Sequence, residues 1–236
     1  MGPVNAIPMS VALLMLCANP VSSGDSDADL RAAVDAMFID RQEVVAASPV
    51  PAGIGVGSHY GHRVSRRTGN RTFHAGTDFL APSGTPVYAV RAGVVETVVR
   101  ERDGSRRWAG YGNGVVIRHD HDGRWSFYAH LSAIDVAEGD VVLPGHKLGS
   151  VGRTTNGRFP RMVSHLHFEV REARRDGESP FPGPYGRYDV NPEEWLADMG
   201  VTFDAHHDDD VEEPELVVRE LPTELVADAE HGVASF

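Results

Sequence analysis

The stretch VSHLHFEVRE, residues 163–172, has the alternation of a β-strand. Successive side chains of a strand point to opposite faces of its sheet. One face is apolar and typical of a protein core, and it carries Leu166, Phe168 and Val170. The other face carries His165, His167 and Glu169. Since two bulky polar rings on one face need partners or water, the pattern predicts a strand that directs two imidazoles toward one site.

The sequence around this strand is also rich in β-structure. Between residues 58 and 203, short apolar runs alternate with turns of Gly, Asn and Asp, and helix is expected only near NPEEWLADMG, residues 191–200. The Asp-Gly pair in HDHDGRW, residues 119–125, indicates a hairpin, and we expect His119 beside it to be solvated. The predicted strands are 86–90, 93–100, 114–119, 124–130, 140–142, 147–151 and 165–171. The fold class is therefore mainly β, with an antiparallel sheet and short helices outside it.

The two ends of the chain differ from this body. Residues 1–24 contain an apolar run of signal-peptide length, so we expect an exported protein, periplasmic or extracellular, with no stable membrane span after cleavage. Residues 25–57 read as a helix over 26–47 followed by a Pro/Gly linker. Residues 204–236 are acidic and poor in aromatic residues, which predicts a disordered tail.

Charge and cysteine content narrow the classes of function. The formal net charge of −12 is concentrated at the two ends, and the body is nearly neutral without a basic patch, so we expect no nucleic-acid surface. Cys17 is the single cysteine, which rules out an intrachain disulfide and a cysteine-rich structural zinc site. Lipidation of Cys17 is disfavoured because a large residue, Leu16, precedes it. The oligomeric state is open.

Three groups of polar residues lie at the ends of predicted strands. FHAGTDF, residues 73–79, places His74 and Asp78 four apart, which keeps them on one face of a strand. FYAHLS, residues 127–132, places Tyr128 and His130 on one strand face by the same parity. With the His-Leu-His group, these residues offer a histidine–carboxylate–histidine set for zinc, with the fourth position open as in catalytic sites. The chain has no His-Glu-x-x-His helix, which excludes metalloproteases of that kind.

Several segments in order resemble the lysostaphin-type zinc endopeptidases, bacterial enzymes that cut peptide bonds in peptidoglycan. The matching segments are FHAGTDFLAPSGTPVYAVRAGVV (73–95), GYGNGVVIRH (110–119), WSFYAHLS (125–132), VAEGDVVLPGHKLGSVGRT (136–154) and SHLHFEV (164–170). The resemblance implies a zinc endopeptidase β domain over 58–203, with a groove walled by loops. Its implied partner is a peptidoglycan peptide, and its implied cofactor is one zinc ion.

The resemblance also implies a role for individual residues. It assigns His74, Asp78 and His167 as zinc ligands, and His130 and His165 as the two catalytic histidines that do not bind the metal. Which of these two acts as general base is open, and Tyr128 and Tyr111 are possible accessory residues. Glu169 either orients a ligand histidine or is a solvated edge residue. Because it lies about 7 Å further along the strand than His167, we favour the solvated edge residue.

Two alternative functions remain at this level. The domain could be a non-catalytic module that binds the cell wall or regulates another hydrolase, although the intact ligand set disfavours this. It could also be a zinc hydrolase of the D,D-carboxypeptidase type, which uses similar ligands. Product analysis would separate internal from terminal cleavage.

Overall fold

A computed structural model describes residues 38–39, 42–64, 69–101, 108–183, 186–203 and 214–220. The described secondary structure is almost entirely β, which confirms the predicted fold class. The strands are β1 Phe38–Ile39, β2 Gln42–Pro51, β3 Val56–Ser58, β4 Gly61–Val64, β5 Arg71–His74, β6 Gly76–Phe79, β7 Pro86–Tyr88, β8 Gly93–Val99, β9 Asn113–His119, β10 Arg124–Leu131, β11 Ala133–Ile134, β12 Val141–Val142, β13 Lys147–Ser150, β14 Leu166–Glu172, β15 Asp189–Val190 and β16 Pro214–Glu220. The described helix is α1, Pro192–Asp198.

An eight-stranded antiparallel sheet forms the floor of the molecule. Its strand order is β12-β8-β9-β10-β14-β6-β3, and β15 pairs with the far end of β14. The strand quoted at the outset, β14, lies inside this sheet, between β10 and β6. Strands β11, β13 and β7 form a second sheet, and β4 pairs with β5 in a separate hairpin.

Two apolar clusters cover the two faces of the main sheet. One is the larger core, to which β14 contributes Leu166, Phe168 and Val170, all fully buried as its alternation predicts. The other cluster includes Trp125, Phe127 and Phe181. His167 of β14 lies on the face of this second cluster, because it alternates with the core residues.

The expectation of a helix over 26–47 is wrong for residues 38–39 and 42–47, which are the part of this range that the structure describes. Residues 42–51 form strand β2, and its Ala46 and Val50 belong to the larger core. The N-terminal segment therefore contributes to the core, although we placed the start of the domain at residue 58. Residues 1–37, which include the expected signal peptide, lie outside the described residues.

The C-terminal segment is also partly ordered. Residues 214–220, which we predicted to be disordered, form β16, which pairs antiparallel with β2. Such pairing depends on a partner strand about 170 residues earlier, which local composition does not reveal. The rest of the predicted tail, residues 204–213 and 221–236, lies outside the described residues. No helix among the described residues is long and apolar enough to cross a membrane.

The predicted hairpin at 119–125 is confirmed, with β9 and β10 antiparallel and Gly123 in the left-handed region. The expectation that His119 is solvated is wrong. His119 is fully buried, its Nδ1 lies 2.9 Å from the Ala92 carbonyl oxygen and its Nε2 lies 2.8 Å from the Ser126 hydroxyl. Burial lowers the pKa of His119 to about 4.

The helix predicted near 191–200 is confirmed as α1. The Asn191 side chain accepts a hydrogen bond from the Glu193 backbone N–H, and Pro192 occupies the first turn. Trp195 and Leu196 anchor the helix in the larger core. This docking fixes the first turn of α1 beside β6 and the segment that leads into β4.

Candidate metal centre

Antiparallel pairing brings together three side chains that are distant in sequence. His74 ends β5, Asp78 lies on β6, and His167 lies on β14 directly opposite Asp78 in the register. His74 Nε2 lies 3.1 Å from Asp78 Oδ1 and 3.2 Å from His167 Nδ1. Asp78 Oδ1 lies 2.8 Å from His167 Nδ1. These three atoms form the triangle of ligand atoms that the sequence suggested.

The triangle has the size that a zinc ion requires. Two nitrogen or oxygen ligands at 2.0–2.1 Å from a tetrahedral zinc ion lie about 3.3 Å apart. The three observed separations are all within about 0.5 Å of this value. The chemistry also fits, because two imidazoles and one carboxylate leave a fourth position of the tetrahedron open.

Hydrogen bonds on the outer sides of the two histidines orient them toward the triangle. His74 Nδ1 lies 2.9 Å from the His59 carbonyl oxygen, which can only accept a hydrogen bond. Nδ1 of His74 therefore donates, and Nε2 is the nitrogen that carries no hydrogen and can bind a metal. His167 Nε2 lies 2.9 Å from Glu169 Oε1, which makes Nδ1 the nitrogen of the triangle. Each ring therefore presents its other nitrogen to the site.

Glu169 is thus a partner of His167, and the interpretation of Glu169 as a solvated edge residue is wrong. It is fully buried. Its Oε1 also accepts a hydrogen bond of 2.7 Å from the Tyr111 hydroxyl, and its Oε2 accepts one of 2.7 Å from Arg171 Nη2. Arg171 is itself buried, and its Nε lies 3.0 Å from Asp189 Oδ1. The buried carboxylate is therefore paired with a buried cation, which explains how it can remain charged there.

The charges of the cluster follow from these contacts. Burial opposes ionisation of Asp78, yet the hydrogen bond with His167 and the neighbouring His74 hold its pKa well below its usual range. Burial also opposes protonation of His167, but its hydrogen bonds to Asp78 and Glu169 raise its pKa to about 9. Because a metal ligand must be a neutral imidazole, metal binding has to release this proton.

His130 reaches the site through a β-bulge. It has φ 65°, and the β10–β9 register shifts between Ala129 and Leu131, so His130 is an extra residue in β10. Its Nδ1 lies 2.8 Å from the Thr154 carbonyl oxygen, and its ring centroid lies 5.7 Å from that of His167. A bulge re-aims a side chain, and it breaks the parity on which our prediction for this strand rested.

Tyr128 consequently lies on the opposite face from His130. It is fully buried in the larger core, and its hydroxyl accepts a hydrogen bond of 2.9 Å from the Val90 backbone N–H. The predicted shared face of Tyr128 and His130 is therefore wrong, and the position of Tyr128 does not support an accessory role. Tyr111, by contrast, lines the site cavity and contacts the cluster through Glu169.

His165 lies beside His130, with ring centroids 4.7 Å apart. Its Nδ1 lies 2.8 Å from the Val163 carbonyl oxygen and its Nε2 lies 3.7 Å from Asp78 Oδ1. In both His130 and His165, Nδ1 therefore donates a hydrogen bond to a backbone carbonyl oxygen, which leaves Nε2 as an acceptor. Burial and the neighbouring His167 and His165 lower the pKa of His130 to about 3, and burial also lowers the pKa of His165.

All five predicted histidine and aspartate residues line one open cavity of about 430 Å³. Its walls include Arg63 and Phe73 from the β4–β5 hairpin, and Arg158 and Phe159 from the segment before β14. Sequence reasoning placed the segment 154–167, with Arg158 and Phe159, in the groove wall, but it missed Arg63, Phe73 and Glu193. Glu193 was recognisable only as an acidic residue in the first turn of a helix, which is an ordinary capping feature.

Glu193 contacts the segment that holds His74. Its Oε1 accepts hydrogen bonds from the Thr77 hydroxyl at 2.9 Å and from the Tyr60 backbone N–H at 3.3 Å. Its Oε2 lies 2.8 Å from His59 Nδ1. The same His59 supplies the carbonyl oxygen that orients His74.

The profile of Peptidase family M23 matches residues 72–180. The chain is similar to the DD-carboxypeptidase/endopeptidase Mpg of Neisseria meningitidis, with 40% identity over 116 residues that cover 49% of this chain and 24% of that protein. It is also similar to an L-Ala–D-Glu endopeptidase of Bacillus subtilis, with 33% identity over 112 residues that cover 44% of this chain and 31% of that protein.

Among solved structures, a zinc-containing peptidase from Vibrio cholerae is 32% identical, with a TM-score of 0.44 and coverage of 54% of this chain and 37% of that one. The chain spans less than a third of the length of the two curated relatives.

Proposed function

We propose that the protein is a zinc-dependent endopeptidase of the M23 type that hydrolyses peptide bonds in bacterial peptidoglycan, and the match of residues 72–180 to Peptidase family M23 supports this. The observation that carries this proposal is the triangle of His74 Nε2, Asp78 Oδ1 and His167 Nδ1, which has the size of one face of a zinc tetrahedron. It lies in a cavity open enough to admit a peptide, beside two histidines whose orientation suits proton transfer.

His74, Asp78 and His167 would hold one zinc ion. When bound, zinc supplies Lewis acidity, which activates a water molecule and polarises the carbonyl of the scissile bond. Glu169 and the His59 carbonyl oxygen keep the two ligand rings in the required tautomers.

His130 and His165 would move the protons of the reaction. Each is held as a neutral imidazole with an accepting Nε2, as their lowered pKa values favour. Such a nitrogen can take a proton from the attacking water, and the resulting imidazolium can donate it to the leaving amine.

The names of the relatives support peptidoglycan as the substrate, because both curated relatives are named for peptide bonds of D-amino acids. The Neisseria protein is named as both a carboxypeptidase and an endopeptidase, which favours terminal D,D-cleavage as the second candidate activity. A wall substrate requires that the protein be exported, and the apolar run within residues 1–24 supports a location in the cell envelope.

The test combines metal analysis with digestion of purified cell walls. We expect one zinc per chain and soluble muropeptides that disappear on chelation and return when zinc is added. Mass spectrometry of the muropeptides identifies the bond that is cut and separates endopeptidase from carboxypeptidase products. If zinc-loaded protein binds walls without releasing any peptide, the result would instead support the alternative function, a non-catalytic module that binds the cell wall.

Two substitutions separate the roles within the cluster. His167→Ala should lose both zinc and activity, whereas His165→Ala should keep zinc and lose activity. His121→Ala is the control, because this exposed histidine lies outside the cavity and contacts Arg91. Wall digestion that survives His167→Ala would refute the proposed chemistry.

A further inference from the structure

The acidic side chains that line the site cavity have hydrogen-bonding partners within the protein, whereas its arginine side chains have no carboxylate partner among the described residues. Among the described lining residues, the acidic groups are Asp78 and Glu169. Asp78 is engaged by the two ligand histidines, and Glu169 is engaged by His167, Tyr111 and Arg171. Neither carboxylate therefore offers a free negative charge to a bound peptide.

The cationic wall residues are in the opposite situation. Arg63 and Arg158 line the same cavity from two different segments of the chain. Neither lies within 4 Å of a carboxylate oxygen among the residues that the structure describes. Arg63 Nη1 donates to the Ser58 hydroxyl, and the Arg158 guanidinium lies 5.6 Å from the centroid of the Phe159 ring. These contacts are with neutral groups, so no carboxylate of the described residues compensates either positive charge.

Arg158 belongs to a well-anchored turn. The backbone N–H groups of Thr155 and Asn156 donate to Glu101 Oε1 at 3.0 and 2.7 Å, and Asn156 Oδ1 accepts from the Gly112 N–H at 2.8 Å. The turn also packs onto Gly110, where an added methyl group would lie 3.3 Å from the Phe159 ring and 3.5 Å from Arg158 Cδ. The segment therefore presents Arg158 to the cavity from a fixed base.

We propose that Arg158, together with Arg63, forms a subsite for a free carboxylate of the substrate peptide. A guanidinium is always charged and matches a carboxylate with two parallel N–H donors, so it suits this ligand better than a neutral peptide. The inference rests on the proposed function, since it names a feature of the peptide that the enzyme selects. The carboxylate can come from the peptide's C-terminus or from a D-Glu residue.

The test uses the muropeptide that carries the bond cut in the wall assay. It is prepared in three forms: with all carboxylates free, with the C-terminal carboxylate amidated, and with the D-Glu carboxylate amidated. Removing the recognised carboxylate should lower kcat/KM of the wild-type enzyme about five- to tenfold, mainly through KM, because the charge pair is partly exposed to solvent. The form that shows the loss identifies the source of the carboxylate.

Arg158→Ala should show the same loss on the free peptide and no additional loss on the amidated one. Arg158→Lys should recover part of the activity, since it keeps the charge but loses the bidentate geometry. Arg118→Ala is the matched control, because this half-buried arginine is paired with Asp120 at 2.6 Å and does not line the cavity. It should leave kcat/KM unchanged.

Two results would overturn the subsite: equal kcat/KM on all three peptides, or an equal loss by Arg158→Ala on free and amidated peptides. In either case wall hydrolysis by the wild-type enzyme would still stand. Absence of zinc-dependent release from walls would instead refute the proposed function, and the subsite with it.

Discussion

Replacing Glu193 with alanine should weaken zinc binding even though Glu193 is not near enough to be a ligand. Its carboxylate holds three groups in place: the His59 ring at 2.8 Å, the Thr77 hydroxyl at 2.9 Å and the Tyr60 N–H at 3.3 Å. The His59 carbonyl oxygen in turn accepts the Nδ1 proton of His74. Glu193 is thus a positioning residue, which acts on the metal centre through the segment that orients one ligand.

The magnitude of the effect follows from these contacts. The His59 ring is largely exposed, so its ion pair adds little. The two hydrogen bonds from Thr77 and Tyr60 to the carboxylate are partly buried, and losing them should cost about 2 kcal/mol of folding stability. Removing an outer partner of a metal ligand lowers metal affinity by about 10- to 100-fold. Because Glu193 acts one step further out, we expect about tenfold.

The assay is competition with a chelator of known zinc affinity, together with thermal unfolding with and without zinc. Glu194→Ala is the matched control, because Glu194 is exposed and occupies the same first turn of α1. It removes the same charge near the helix N-terminus without touching the His59 segment. Glu193→Gln should be intermediate, since its amide oxygen can still accept from Thr77 and Tyr60. Equal zinc affinities for Glu193→Ala and Glu194→Ala would refute the reasoning, even if Glu193→Ala unfolds at a lower temperature.

Three further predictions concern buried or strained positions. Glu169→Gln should lower zinc affinity 10- to 100-fold and destabilise the fold by about 3 kcal/mol, as measured by chelator competition and urea unfolding; a similar result for the exposed Glu172→Gln would contradict this. For His119, the unfolded chain takes up a proton near pH 6.5, whereas burial keeps the folded pKa at about 4. Between pH 7 and pH 5 the free energy of unfolding of the wild-type protein should therefore fall by about 2 kcal/mol more than that of His119→Asn. Parallel pH profiles of urea unfolding for the two proteins would contradict this prediction. Gly112→Ala should cost more in unfolding temperature than Gly123→Ala, because both have positive φ but only the first would place a methyl group 2.2 Å from the facing backbone; equal losses would count against a close contact.

Much of the local structure was predictable because it depends on short-range pattern. The alternation in residues 163–172 correctly identified the apolar face of β14 and directed His165 and His167 to one cavity. The Asp-Gly turn and the Asn191 cap likewise act within a few residues. Each of these features has a fixed period or offset that a sequence displays directly.

The mistaken expectations share a different cause. At β10, one left-handed residue inserts a bulge, so counting by two placed Tyr128 on the wrong face. At β2, the helix predicted over 26–47 included residues that instead pair with β16, far along the chain. Glu169 was expected to be a solvated edge residue because it lies about 7 Å further along the strand than His167. The strand pattern did not show that the buried Arg171 pairs with Glu169 there.

The sequence alone determined the chemical inventory: two imidazoles and a carboxylate suited to zinc, two more histidines, and a mainly β fold to carry them. Only the tertiary structure decided which nitrogen of each ring faces the site, because that depends on distant acceptors such as the His59 carbonyl oxygen and Glu169. It also decided that Arg63 and Arg158 line the cavity with no carboxylate partner in the described part of the chain. Both depend on which groups come within hydrogen-bonding distance through space, and hydrogen bonds and ion pairs act over only a few ångströms.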